Sequence, residues 1–292
     1  MRAGEKAQSE ASLATGLYVT ATPIGNARDI TLRALDVLRH CDLIAAEDTR
    51  VTAKLLAIHG IAKPLTAYND HNAARERPRL LARLRQGARI ALVSDAGTPL
   101  VSDPGYKLVR EAIAEGLAVH AIPGASAALT ALALAGLPTD RFLFAGFLPA
   151  KPGERRRMLE ELRAVPASLI LFEAPQRLAE SLADLSAVLG PRPAAVAREL
   201  TKLHEEVRRG DLASLAGAYA GEPPPRGEVT LVIGPPMDLE PDFAKAEELL
   251  RKALEFMPVS AATDLVAAAL EAPRREIYSR ALVLKDSADA QR

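Results

Sequence analysis

At 292 residues the chain can bury two ordinary domains, or one large domain with an appendage. Its 37 basic and 37 acidic residues cancel, so no global field steers a polyanion, and any nucleic-acid contact must come from local patches. The composition, 49% hydrophobic and 25% charged, is that of a soluble globular protein, and the single cysteine excludes an intramolecular disulfide or a cysteine-rich zinc site.

The opening "MRAGEKAQSEASLATG" has no apolar core and is not a secretory signal; residues 1–15 read as a disordered tail. No later run reaches the roughly 18 apolar residues of a membrane span. A reducing, cytoplasmic setting is expected.

From residue 17 short apolar runs alternate with helical stretches. "LYVTAT" reads as a strand and "DITLRALDVLRHC" as a helix with Asp29 as its N-cap. "DLIAAED" is the next strand, followed by a helix over 50–58. A short "LTAY" strand precedes the basic helix "AARERPRLLARLRQG", expected to break early at Pro78. The strand "ARIALVSD", a helix over 106–115 and the strand "LAVHAIP" complete this part. Strands that are apolar throughout rather than alternating suit a parallel sheet covered on both faces, an α/β domain with right-handed crossovers.

The rhythm changes at Gly124. "GASAALTALALAG" is a small-residue helix ended by Gly136 and Pro138. Strands are predicted at "FLFAGFL", "ASLILFE", "AAVARE" and "GEVTLVIG", with helices over 154–163, 176–189 and 211–219. These divide the chain into α/β domains at 16–123 and 124–236, a linker at 234–242 and a helical extension at 243–285. That extension reads as three short helices, with Ser260 as a cap and the "EAP" corner at 271–273 between the last two.

Four stretches could carry chemistry. The "TPIGN" corner has Gly25 to permit an unusual backbone and Pro23 to stiffen its approach, with helix-start amides behind it that suit an anion. A plain strand-to-helix turn is the other account. "VSDAGTPLVSDPG", 93–105, puts two glycine turns and the carboxylates Asp95 and Asp103 just past a strand, where open α/β sheets place ligands. "IPGASA" opens a helix with Ser126 in its first turn. "LIAAEDTR" ends a strand in Glu47, Asp48, Thr49 and Arg50; its carboxylates could act as bases and Arg50 could meet a phosphate, unless Asp48 simply caps the next helix.

The five histidines, His40, His59, His71, His120 and His204, lack metal-site spacing, so no metal is expected. Arginines cluster at 75–89, at Lys151/Arg155/Arg156/Arg157 and at 274–280. The second cluster, on the loop-like "PAKPGERRR", is the best phosphate contact, and the three together make an RNA or DNA partner plausible.

Taken in order, "LYVTATPIGNARDITLRALDVL", "DLIAAEDTR", "ALVSDAGTPLVSDPGYKLV", "IPGASA", "GFLP", "LILFEAPQRL", "ARELTKLHEE" and "GEVTLVIG" closely resemble the ribosomal RNA small-subunit methyltransferases that modify a cytidine ribose 2′-hydroxyl, of the tetrapyrrole methylase-like fold. The resemblance runs over about 15–235, and the last helices are similar to that family's helical extension. It implies two α/β domains with S-adenosylmethionine in the cleft between them, a homodimer, no membrane, and 16S rRNA of the small subunit, at its decoding region, as substrate.

By the same resemblance the cofactor meets Pro23, Ile24 and Gly25; Asp95, Ala96, Gly97 and Thr98; Ser126 and Ala127; Phe172 and Glu173; and Glu199 and Leu200, while the stretch from Gly227 to Thr230 closes the pocket. Glu47 or Asp48 is the expected base or orienting group. Arg28 and Arg50, with Lys151, Arg155, Arg156 and Arg157, are the expected RNA contacts. Gln176 stands where that family usually has histidine, and glutamine cannot take a proton near neutral pH. Two other readings stay open: a methyltransferase of the same fold acting on a tetrapyrrole or other small molecule, and a non-enzymatic nucleic-acid binder whose last helices form a helix-turn-helix.

Overall fold

The computed structural model describes residues 13–236, 243–270 and 272–289. Most of the expected tail, 237–242 of the linker and residue 271 of the "EAP" corner lie outside them. Residues up to Pro236 form one compact unit, and the described residues from Phe243 on form a second.

In the first unit, strands β1 (Gly16–Thr20), β2 (Leu43–Ala46), β3 (Leu65–Ala67), β4 (Arg89–Val93) and β5 (Val119–Ile122) form a parallel sheet ordered β3-β2-β4-β1-β5. The connections carry α1 (Leu32–His40), α2 (Thr49–Ile58), α3 (Ala73–Arg85) and α4 (Tyr106–Ala114). Alternate side chains of each strand enter opposite layers. Tyr18, Ile44 and Val93 pack with Val37, Leu38 and Leu56, whereas Leu17, Leu43 and Leu92 pack with Leu80, Leu84 and Leu108. Burial on both faces is why these strands read as unbroken apolar runs.

A second sheet follows α5 (Ala127–Ala135). It comprises β6 (Phe142–Phe147), β7 (Ser168–Glu173), β8 (Pro193–Arg198), β9 (Glu206–Asp211) and β10 (Val229–Ile233), ordered β6-β7-β10-β8-β9. Only β6 and β7 are parallel; the other pairings are antiparallel. Helices α6 (Pro152–Leu162), α7 (Leu178–Leu189) and α8 (Leu212–Ala220) cover one face. The small residues of α5 let it lie close on the other, against Ile170, Ala195 and Val232, and Ile24 from the corner after β1 enters the same core. That one side chain ties the first sheet's loop to the second sheet's core.

The second unit packs α9 (Phe243–Leu254), α10 (Val259–Ala269) and α11 (Arg274–Asp289) around Ala246, Leu250, Ala262, Val266, Ile277 and Ala281.

Local details correct several expectations. Asp29 ends a short 3₁₀ turn, and the N-cap of α1 is Thr31, whose hydroxyl accepts from Ala34 N at 3.1 Å. Pro78 does not break α3, which runs through it. A proline there forfeits one hydrogen bond, to the Ala74 carbonyl near the helix start, while Leu80, Leu81 and Leu84 hold the helix on the sheet. Ser260 lies inside α10, preceded by Pro258 as N-cap, and its hydroxyl accepts from Arg274 at 3.2 Å. Strand β9 was not anticipated: "EVRRGD" is a charged edge strand whose Glu206 and Arg208 pair with each other, so it shows no apolar alternation.

Candidate active site

The carboxyl ends of β1, β2 and β4 meet one end of the second sheet, where Val229 at the start of β10 pairs with Glu173 at the end of β7 and Arg198 at the end of β8. Between them lies a cavity of about 350 Å³. One wall is Ile24, the Asp95–Ala96–Gly97–Thr98 loop, Ser126 and Ala127; the other is Phe172, Glu173, Leu200, Gly227 and Thr230. Glu47 also reaches it. The resemblance named all of these but Glu47, which its charge at the end of β2 singled out. Pro23 and Gly25 face an adjoining hollow instead, and Glu199 lines neither.

The loops are held by their own hydrogen bonds. Thr22 and Gly97 exchange backbone hydrogen bonds at 2.8 and 3.1 Å, and the Thr98 hydroxyl donates to the Ala125 carbonyl at 3.1 Å. Gly97 has φ +81°. Among the described residues only four non-glycines have positive φ: Leu100 and Ser102 on one rim, and Glu199 and Thr201 on the other. That conformation costs about 1–3 kcal/mol in a non-glycine residue. Its confinement to two loops bordering the cavity marks them as shaped for function.

Gly25 differs from the expectation placed on it. Its φ is ordinary, and what it provides is space: a Cβ would lie 2.5 Å from Lys202 Cγ and 2.7 Å from Thr201 Oγ1. Two amides there are already engaged: Asn26 N donates to Thr201 Oγ1 at 3.0 Å and Arg28 N to the Asn26 side chain at 3.0 Å.

Carboxyls converge on the cavity. Asp95 N donates to Glu47 Oε2 at 3.3 Å, and Asp48 N donates to Asp95 Oδ1 at 3.0 Å, which stitches the ends of β2 and β4 together. Burial raises the Glu47 carboxyl, with Asp95, Asp70 and Asp48 adding repulsion. Asp95 is raised for the same first reason. Asp103 is pushed up to about 6 by burial and then by the Glu47 and Asp95 charges, although Ser94 hydrogen-bonds it. Mutual proximity of acids in a half-buried wall favours a cation in the space they face.

Asp48 is engaged otherwise. It caps α2, accepting from Arg50 N at 2.8 Å, and pairs with the Arg50 guanidinium at 2.6 Å, which holds its carboxyl down at about 2. Glu173 has its side chain fully buried, bound to Arg177 at 2.5 Å, to Ala174 N at 2.6 Å and to the Ser181 hydroxyl. It braces the end of β7 against α7. Gln176 is exposed and absent from the cavity wall.

The basic set divides. Arg28 and Arg157 are exposed, and Arg50 and Lys151 are exposed and paired with Asp48 and Glu154. Arg155 corrects the expectation: only 1% exposed, it donates to Asp184 at 2.6 Å and crosslinks α6 to α7, so it cannot meet RNA. Arg156 shares the same carboxylate at 2.7 Å.

Sequence reasoning left Val101, Phe147, Ala174, Pro175 and Ala197 out of the cavity. Phe147 lay in the quoted "GFLP", and Ser102 and Asp103 in the second glycine turn. The apolar strand residues carry no signal that separates a cavity wall from a core. Among the described residues no group of three or more His, Cys, Asp or Glu is arranged to hold a metal.

Two family models account for the chain: Tetrapyrrole (Corrin/Porphyrin) Methylases over residues 16–216 and the RsmI C-terminal HTH domain over 240–285. The chain belongs to the tetrapyrrole methylase family. Within this family it is 51% identical over 276 residues to the ribosomal RNA small subunit methyltransferase I of Mesorhizobium japonicum, covering 94% of both chains. The protein of that name from Erythrobacter litoralis is 54% identical over 273 residues, covering 94% of this chain and 96% of its own. In Escherichia coli O157:H7 the figures are 45% over 272 residues, 91% and 94%. Among solved structures, uroporphyrin-III-C-methyltransferase from Thermus thermophilus aligns with TM-score 0.54 and 26% identity over 75% of this chain and 94% of that one. Diphthine synthase, TM-score 0.57 and 19% identity over 75% and 89%, shares the fold alone. As in other tetrapyrrole methylases, the chemistry is methyl transfer from S-adenosylmethionine.

Proposed function

We propose that this family member methylates the ribose 2′-hydroxyl of a cytidine in 16S ribosomal RNA, at the decoding region of the small subunit, using S-adenosylmethionine. Its close relatives are named for methylation of small-subunit ribosomal RNA. The observation that carries the reading is the acid-walled cavity itself. Glu47, Asp95 and Asp103 suit a sulfonium cation, and Phe172 and Ile24 supply apolar contact. Asp95, Thr98, Ser126, Ala127, Phe172, Leu200 and Thr230 are the residues that would hold the donor. When bound, S-adenosylmethionine supplies an electrophilic methyl group.

The ribose hydroxyl is a weak acid and needs a partner for its proton. Glu47 is the better base of the two candidates: its raised pKa makes it the stronger acceptor, whereas Asp48 is neutralised by Arg50. Arg28, Arg157 and Lys151 present cations for RNA phosphates, and an rRNA substrate places the protein in the cytoplasm. A homodimer is part of this reading, supported by apolar side chains exposed along edge strand β6, Phe142 and Leu143.

The deciding experiment transfers labelled methyl from S-adenosylmethionine to small subunits from cells lacking the gene, with digestion to nucleosides. Label in 2′-O-methylcytidine is expected, reduced at least 100-fold by Glu47→Gln and little changed by Asp48→Asn. Label in another nucleoside, or none despite donor binding, would overturn the assignment.

A further inference from the structure

We propose that a second hollow, of about 280 Å³ and sharing Ile24, Asp95, Ala96 and Glu228 with the main cavity, receives the acceptor nucleoside. The inference rests on the methyl-transfer reading above and names where its substrate sits. Donor and acceptor atoms must come within about 3–3.5 Å for transfer, and a hollow that shares four lining residues with the donor cavity lies next to it, as that demand requires.

Beyond the shared residues the hollow has a lining of its own. Val51, Leu55 and Ile58 lie at i, i+4 and i+7 on one face of α2 and line it together. Val51 is 39% and Ile58 66% exposed, so an apolar stripe faces the hollow with nothing of this unit packed over it. A planar base can stack on such a surface whatever its sequence context.

Polar recognition comes from Lys202 and Glu228, which also line the hollow and are joined at 2.9 Å. An ammonium and a carboxylate side by side offer a donor and an acceptor. The edge of an amino-bearing pyrimidine offers an amino donor beside ring acceptors, and a carboxylate accepts from that amino group. The hollow is sized for one nucleoside and not for a stem, so the target nucleotide must leave its stack to enter.

The test fills the hollow. Leu55→Trp and Val51→Trp change partly exposed side chains, which keeps the fold safe. Calorimetry with S-adenosylmethionine, saturation-transfer NMR with cytidine as probe, and transfer kinetics on small subunits are measured for each. The expected result is donor Kd within twofold of wild type, loss of the cytidine NMR signal, and KM for the subunit raised at least tenfold. Both variants transferring with wild-type KM and kcat would overturn the subsite while leaving the methyltransferase reading intact, as would loss of donor binding by both. Wild-type protein that binds donor but labels no RNA would overturn the underlying reading and this one with it.

Discussion

Asp103 gives the first unit a pH signature. Its folded-state pKa of about 6 stands above an ordinary 3.8, so the folded chain binds that proton more tightly than the unfolded chain. The contribution to stability is full below about pH 4 and is lost as pH rises through about 6. Two pKa units correspond to about 3 kcal/mol at most, and partial access to water brings this nearer ~1 kcal/mol. Asp103→Asn is therefore expected to raise Tm by about 2–4 °C at pH 7 and to leave it unchanged at pH 4, as followed by circular dichroism. Gly227 makes the opposite case. Its φ is +96° and an added Cβ would lie 2.2 Å from the Glu199 carboxyl. Gly227→Ala should cost about 1–3 kcal/mol and weaken donor binding by shifting the 199–202 loop, both measurable by thermal melts and calorimetry.

Between elements, the α6–α7 crosslink carries the clearest energetic test. Asp184 takes both Arg155 and Arg156; burial works to raise its carboxyl, but hydrogen bonds from the two arginines outweigh that and hold it low. Removing one partner of a buried pair costs about 3–5 kcal/mol, because the other is left uncompensated. Asp184→Asn should approach that loss in urea melts, and the double change Arg155→Met, Asp184→Leu should recover most of it. The pair also shows what the sequence conceals. "PAKPGERRR" carries its charge in plain view, yet nothing in it tells that Arg155 turns inward to a carboxylate 29 positions away. Strand β9 was hidden for a related reason: an edge strand can carry its charges outward, so its apolar pattern vanishes. By contrast, the parallel strands of the first sheet were legible because burial on both faces forces apolar runs. The cavity wall was legible through its glycines and the resemblance, since Gly97 and Gly227 are demanded by local geometry. The role of Asp48 was legible only as a pair of alternatives, a cap or a base, because both need a carboxylate at the end of β2.

At the scale of the molecule, the two compact units separate their cores. Buried side chains between Ala246 and Leu284 cluster among themselves, and the cavity is built wholly from residues 24–230. A chain ended at Pro236 is therefore expected to bind S-adenosylmethionine with wild-type affinity while its transfer to small subunits falls at least tenfold, since the match of 240–285 to an HTH domain makes that unit the natural place for additional nucleic-acid contact. Calorimetry and the labelled-methyl assay read the two effects separately. Loss of donor binding on truncation would show that the first unit does not stand alone.

Cys41, just after α1, is 1% exposed, packs with Val37, Ile44 and Ile61, and has its thiol pushed up by burial. As the chain's lone sulfhydryl it is a built-in clock. A thiol reagent can reach it only when the layer between α1 and the first sheet opens, and burial slows it further by disfavouring thiolate. The rate of labelling under native conditions thus times the opening of the scaffold that carries the cavity, one event per molecule and with no competing signal. A cysteine introduced at Leu203, 93% exposed, would react at once and leave that clock running.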